Sequence, residues 1–174
     1  LLRIFYSRFD KIECNSKYIS NYLKLKYNYD SVAISPPSIN VKETIFKKKI
    51  NNKTLNITTV CRLSKEKGLQ NILFALHEIN KKNIILNIVG DGPEKNYLKK
   101  ITKKLNLNNK VKFHGHQKKV FNILNKSDLF INSSFFEGFP NSVVEAAYLG
   151  IPIISSQSHG GINEILLNGK FGEI

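Results

Sequence analysis

Two glutamates, Glu137 and Glu145, stand eight positions apart in the run Ser134-Phe135-Phe136-Glu137-Gly138-Phe139-Pro140-Asn141-Ser142-Val143-Val144-Glu145-Ala146-Ala147. Glu145 is flanked by apolar residues on a stretch that reads as a short helix ending at Gly150. An unpaired carboxylate buried there would cost at least about 2 kcal/mol, so hydroxyl or N–H donors are needed to compensate. A carboxylate accepts two hydrogen bonds side by side, and a ribose or hexose diol offers a matching pair. Gly138 lets backbone approach a ligand closely, and the N–H groups of Asn141, Ser142 and Val143 open the helix, an end that attracts anions. Sugar hydroxyls beside phosphate describe a sugar nucleotide. The bland alternative makes Glu137 a solvated loop acid and pairs Glu145 with a Lys across the fold.

A second group lies in Val60-Cys61-Arg62-Leu63-Ser64-Lys65-Glu66-Lys67-Gly68, where a strand ends and a helix begins. Open parallel sheets bind ligands at the carboxyl ends of their strands. Arg62 and Lys67 are therefore placed to meet an anion, one as a forked donor and one as a point charge. Gly90-Asp91-Gly92-Pro93 lacks the third glycine of a dinucleotide fingerprint and reads as a turn. His114-Gly115-His116 has no third ligand nearby, so it reads as a loop at the ligand mouth, with His116 as a binding residue, rather than as a metal site. His77 reads as a structural mid-helix residue. The N–H groups of His159-Gly160-Gly161 could reach a phosphate or form a turn, and Glu164 reads as a first-turn acid complementing its own helix dipole. No Asp-x-Asp pair is present to chelate a metal-bound diphosphate, so neither metal nor cofactor is expected.

These residues need a scaffold, and the hydrophobic pattern supplies one. Strands are expected at 55–61, 84–89, 111–113, 129–132 and 151–155. Helices are expected at 69–80, 94–105, 120–125 and 142–149, with a last one starting near Ile162. Strict alternation with short connections implies an α/β fold, a doubly wound parallel sheet of Rossmann type with helices on both faces. Residues 1–37 break the pattern, with a helix-like stretch at 17–25 and a strand at 32–35. Pro36-Pro37 reads as an extended joint and 38–53 as a polar connector, which leaves 54–174 as the main domain.

At 174 residues the chain can fill one α/β core and a fragment of a second domain. No run of 18 apolar residues and no signal-peptide layout is present, so the reading is cytoplasmic. Cys14 and Cys61 fit free thiols better than a disulfide. The net charge of +14 rests almost wholly on lysine, with only Arg3, Arg8 and Arg62 as arginines. The lysine runs lack interleaved aromatics and any nucleic-acid module, so no nucleic-acid partner is expected. Most of these lysines read as a solvated helix face, and attraction to an anionic membrane surface or a phosphorylated lipid acceptor is the stronger alternative.

Taken together, Arg62…Glu66-Lys67-Gly68, Val89-Gly90-Asp91-Gly92-Pro93, Val111-Lys112-Phe113-His114-Gly115, Glu137-Gly138-Phe139-Pro140-Asn141 with Glu145-Ala146, Gly150-Ile151-Pro152-Ile153-Ile154 and Gly160-Gly161…Glu164 resemble the retaining glycosyltransferases of family 4. The resemblance covers about residues 30–174 and implies the C-terminal, donor-binding half of a GT-B fold, with 1–37 as the end of an N-terminal acceptor-side domain. It implies that Arg62 and Lys67 hold the donor diphosphate, that Glu145 binds ribose, and that Glu137 contacts the donor sugar with Gly138-Phe139 lining its pocket. A UDP- or GDP-linked sugar is the implied donor and a glycan or lipid-linked sugar the implied acceptor, at the inner face of the membrane. Cys61 departs from the family's glycine before the arginine. A sugar-nucleotide epimerase on a similar fold and a non-catalytic nucleotide-sugar-binding subunit are the competing readings.

Overall fold

The computed structural model describes residues 9–29, 32–35 and 54–174. The expected boundary between 36 and 53 lies outside the described residues. A small N-terminal unit comes first: β1 (Ile12–Cys14), α1 (Lys17–Tyr27) and β2 (Val32–Ile34), with β1 and β2 paired in parallel. The main sheet then builds from β3 (Leu55–Val60), β4 (Ile84–Val89), β5 (Val111–Gly115), β6 (Leu129–Asn132) and β8 (Ile153–Ser155). Its order is β5-β4-β3-β6-β8, with every neighbour parallel. Two very short strands, β7 (Phe136–Glu137) and β9 (His159–Gly160), form a separate parallel pair.

The chain moves outward from β3 to β4 and β5, then returns to the other side of β3 with β6 and β8. The order therefore reverses between β3 and β6, leaving a crevice beyond their carboxyl ends that no crossover helix covers. The strand ends are packed on either side by helices whose apolar faces match the sequence period. In α2 (Leu69–Ile79), Leu69, Ile72, Leu73 and Leu76 are buried against Leu86 and Ile88 of β4. In α3 (Lys95–Lys104), Leu98 and Ile101 join the same cluster while Lys99, Lys100, Lys103 and Lys104 face solvent. A second cluster gathers Leu124 of α4 (Phe121–Leu124), Phe130, Val143 and Ala146 of α5 (Asn141–Tyr148), Ile153, and Ile162 of α6 (Ile162–Ile165). Each fully buried Leu, Ile or Phe contributes about 1.5–3 kcal/mol.

Element ends differ from expectation for local reasons. The strand expected from Ile151 begins at Ile153, because the Ile151 N–H turns back to Ala146 O at 3.1 Å and Pro152 has no N–H. Asparagine takes the left-handed conformation at Asn28, Asn80, Asn106 and Asn168, so part of the Asn enrichment closes helices and turns. The strands β1, β7 and β9 are too short to show a period, and the hydrophobic pattern gave no sign of them.

One glycine locks the sheet's ligand edge. Gly90 has φ +132°, and a Cβ there would lie 1.9 Å from the Cys61 carbonyl oxygen. Its own N–H donates to Gly115 O at 2.8 Å, so the turn cannot move aside without parting β4 from β5. Gly150 also has positive φ, +66°, but nothing lies within 4 Å of an added Cβ. Gly90→Ala should destabilise the chain by more than about 3 kcal/mol and Gly150→Ala by only about 1 kcal/mol. Urea denaturation of both variants checks this, and equal losses would contradict the close-approach reading.

Candidate functional site

The parallel order brings the loops after β3 and β6 together over the crevice. The β3 loop runs through Arg62 into a single 3₁₀ turn, Lys65–Lys67, that ends in left-handed Gly68. The β6 loop runs from Ser133 to Pro140. They are stitched along their length: Phe135 N–H donates to Glu66 O at 2.8 Å and Ser133 Oγ donates to Lys67 O at 2.7 Å. Any Cβ on Gly68 would sit 2.4 Å from Ser133 O, which is why glycine is needed there.

At the end of that seam Lys67 Nζ meets Glu137 Oε1 at 2.8 Å, with side chains only 17% and 12% exposed. Ser134 Oγ donates to the same oxygen at 2.6 Å. Thus two residues seventy positions apart form a half-dry ion pair at the sheet's switch point. Burial pushes the neighbouring Cys61 thiol up to about 11, so it is an unreactive wall group despite its place beside Lys67. Cys14 and Cys61 are both free thiols.

The other expected site residues fall as follows. Arg62 is exposed; the Ser64 hydroxyl holds the Glu66 carboxyl below its ordinary range, and Lys67 and Arg62 add smaller shares. His116 is exposed and faces the Gly90–Pro93 turn, where it adds a small share to the lowering of Asp91 that Lys95 and the Gly92 N–H dominate. That turn is closed by Asp91 itself, which accepts from Gly92 N at 2.8 Å and Lys95 Nζ at 2.6 Å, in keeping with turn chemistry. His114 does not face a metal; its Nε2 lies 2.9 Å from Asn87 Oδ1 on the adjacent strand, and burial lowers its basicity. Among the described residues no group of three or more metal-ligating side chains forms.

Glu145 is half-buried on α5, next to the buried Val143 and Ala146. No lysine pairs with it, and among the described residues it has no hydrogen-bond partner. Desolvation alone therefore raises its pKa above the ordinary carboxylate value. At the start of the same helix, Asn141 and Ser142 have N–H groups without acceptors among the described residues. The third expected donor is taken, since Val143 N–H bonds Pro140 O at 3.1 Å.

The loop after Glu137 also packs against the N-terminal unit: a Cβ on Gly138 would meet the Asn15 side-chain amide at 3.1 Å. The Gly161 N–H, considered for phosphate, donates to Gly138 O at 2.8 Å, and Gly160 is paired with Glu137 between β9 and β7. Glu164 sits in the first turn of its own helix, as expected, and also serves a second one. Its carboxylate accepts from Lys17 N at 3.0 Å and Tyr18 N at 2.9 Å, capping α1 of the N-terminal unit. Sequence reasoning does not find Ser134, because which of the two serines after β6 faces Glu137 depends on how the loop turns.

With this geometry in hand, comparison with known proteins is decisive about kinship. The model of the family described as glycosyl transferases group 1 matches residues 40–174. The chain belongs to that family. An uncharacterized glycosyltransferase of Methanocaldococcus jannaschii is 32% identical over 161 residues, covering 87% of this chain and 40% of the relative. The N-acetylgalactosamine-N,N'-diacetylbacillosaminyl-diphospho-undecaprenol 4-alpha-N-acetylgalactosaminyltransferase of Campylobacter jejuni is 28% identical, covering 99% and 48%. Among solved structures, Anabaena HepE in complex with UDP superposes with a TM-score of 0.80 at 22% identity, over 95% of this chain and 50% of that one. The fold is that of the GT-B glycosyltransferases, and the chain spans about half the length of the relatives it matches.

Glu145 yields a stability test that needs no ligand. Its folded-state value is raised, so below about the ordinary value of 4.5 both states are protonated and nothing is lost. As pH rises through the folded value, the unfolded chain has already ionised and the folded chain loses stability. Glu145→Gln cannot lose it. The variant should match the parent at low pH and be the more stable at neutral pH, by less than about 1 kcal/mol given solvent screening at a half-exposed site. Thermal melts across that range check the sign, and a variant less stable than the parent at neutral pH would reveal a hidden partner.

Proposed function

We propose that this chain is the donor-binding half of a retaining, metal-independent glycosyltransferase. It transfers a hexose or N-acetylhexosamine from a UDP- or GDP-sugar to a glycan or lipid-linked acceptor. The observation that carries the reading is the Lys67–Glu137 contact over the β3/β6 crevice, a cation and a sugar-binding carboxylate side by side where parallel sheets hold ligands. Arg62 and Lys67 neutralise the charge that builds on the departing diphosphate, the positive charge a metal ion would otherwise supply there. Glu145, dry on one side and without a partner, takes the ribose hydroxyls. The Asn141 and Ser142 N–H groups add anion affinity, Gly138-Phe139 close the sugar pocket, and His116 borders the base-side mouth. The bond between the sugar's anomeric carbon and the diphosphate oxygen breaks, the acceptor oxygen bonds that carbon from the same face, and the acceptor's proton passes to the departing phosphate.

The domain plan belongs to the same proposal: residues up to about 37 end an acceptor-side domain, 38–53 connect, and 54–174 bind the donor. Several relatives are named for steps in glycan or lipid-linked sugar assembly, amylovoran biosynthesis in Erwinia amylovora and diphospho-undecaprenol extension in Campylobacter jejuni among them. That fits a role in polysaccharide or glycolipid biosynthesis at the cytoplasmic face of a membrane. Among the described residues no helix is long and apolar enough to cross one, and the lysine-rich face of α3 suits peripheral contact.

The two glutamates divide the donor between them, and calorimetry separates their roles. Glu145→Gln should weaken the sugar-free nucleoside diphosphate and the intact donor alike, by about 1–3 kcal/mol for a lost charged hydrogen bond. Glu137→Gln should weaken mainly the intact donor, and by releasing Lys67 it should leave diphosphate affinity equal or improved. Lys67→Glu should abolish diphosphate binding while sparing the free nucleoside, and a chelator should change nothing. Loss of diphosphate affinity in Glu137→Gln equal to that in Glu145→Gln would overturn the assignment.

A further inference from the structure

The Glu137 carboxylate is held unevenly. Oε1 receives both Lys67 Nζ at 2.8 Å and Ser134 Oγ at 2.6 Å, whereas no donor among the described residues reaches Oε2. Behind Ser134 stands a buried polar row: Ser134 Oγ is 3.0 Å from Asn132 Oδ1, and Asn132 Nδ2 is 3.1 Å from Ser155 Oγ. Ser134, Asn132 and Ser155 are all buried, so every polar atom in the row needs a protein partner.

The row's proton count fixes its direction. A hydroxyl has one proton, and Ser134 faces two acceptors, a carboxylate oxygen and an amide oxygen. The charged, shorter contact takes the proton. That leaves Asn132 Oδ1 opposite a lone pair. Turning the amide over removes the conflict: Asn132 Nδ2 then donates to Ser134 Oγ, and the Ser155 hydroxyl, released from Ser156 O at 3.0 Å, donates to Asn132 Oδ1. Every donor then points from β8 through β6 toward Glu137, and aligned hydrogen bonds of this kind polarise one another.

We infer that Ser134, backed by Asn132 and Ser155, is a positioning residue that pins Glu137 through Oε1 and so presents Oε2 alone to a hydroxyl of the donor sugar. The inference rests on the reading of Glu137 as the sugar contact. It gives Ser134 a role distinct from that of Lys67. When a diphosphate draws the ammonium toward itself, Lys67 loosens its hold on the carboxylate, and the Ser134 hydroxyl is the anchor that remains. Removing that hydroxyl should thus matter most when both diphosphate and sugar are present.

The test is calorimetry on the 174-residue chain with UDP, UDP-N-acetylglucosamine, GDP and GDP-mannose. Ser134→Ala should weaken the sugar donor about tenfold while leaving the matching diphosphate within about twofold, and Ser134→Thr, which keeps a hydroxyl, should restore donor affinity. Equal weakening of both ligands would mark a merely structural residue and overturn the inference, as would no change in either. Absence of any nucleotide binding by the parent chain would instead sink the functional reading. In that event the row is judged by ligand-free NMR of the Asn132 side-chain amide. Ser134→Ala and Glu137→Gln should each shift its protons and speed their exchange, and an amide indifferent to both would overturn the row.

Discussion

The reversal of strand order between β3 and β6 is the constraint on which the site depends. Because all five strands are parallel, their carboxyl ends share one edge, and only at the reversal do two neighbouring loops rise without a helix between them. The β3 loop brings a lysine and the β6 loop a glutamate, and the seam between the loops is tight enough to fix where they meet. Gly68 gives the β3 loop its approach, Ser133 and Phe135 bind its backbone, and the Lys67–Glu137 pair closes the end. The order of causes matters. An ion pair this buried adds little net stability by itself, because desolvating both charges offsets most of their attraction. The hydrogen-bonded backbone holds the two side chains in register, and the pair reads out that register.

A site for an anionic sugar nucleotide asks for groups that do not satisfy one another completely. Lys67 is balanced by Glu137 and Ser134 fills the same oxygen, but Arg62 is left in solvent and Glu145 is left half-dry, with no partner among the described residues. Glu145 is the more telling of the two. An exposed arginine is normal on any surface. A carboxylate among Val143, Val144, Ala146 and Ala147 that finds no donor among the described residues raises the free energy of the folded chain. A group of this kind lowers stability until something pairs with it, which is how perturbed acids come to mark candidate functional sites.

What the sequence made legible follows from length scale. Strands of four to six residues and helices of eight or more carry a period, so β3, β4, β5 and β6 and the three long helices α2, α3 and α5 were readable to within a few residues. Candidate side chains stood out where their chemistry is costly without a partner, as with Glu145, or where two charges sit at a strand's end, as with Arg62 and Lys67. Paired two-residue strands have no period, so β7 and β9 were invisible, and with them the fact that Gly160 lies against the Glu137 backbone. Hydrogen bonds across the fold were equally hidden. Nothing in the local sequence says that Ser134 rather than Ser133 faces the carboxylate, because that depends on which way the loop turns after β6.

The glycines show why motif reading needs the third dimension. Gly138 and Gly161 stand where a nucleotide-binding loop would want bare backbone, yet both are used against the N-terminal unit. Asn15 lies under Gly138, and a Cβ on Gly161 would meet Gly138 O at 2.7 Å and Ser16 Cβ at 3.2 Å. Glu164 completes the contact. Its carboxylate takes the first two N–H groups of α1, the Ser16 hydroxyl takes the Ile19 N–H at 3.3 Å, and Ser16 O takes that of Ser20 at 3.1 Å. The orphan donors of Lys17, Tyr18 and Ile19 are thus satisfied, two of them by the neighbouring unit, and the Ser20 bond is the first of the helical ladder. A carboxylate facing a helix N-terminus is a charge-assisted contact with a defined direction, so it orients the N-terminal unit as well as holding it. The loop that turns beneath it, Gly138-Phe139, is the one that follows Glu137 directly. Displacing the N-terminal unit would therefore be felt at the Glu137 carboxylate through two residues of backbone, without any change in the central sheet.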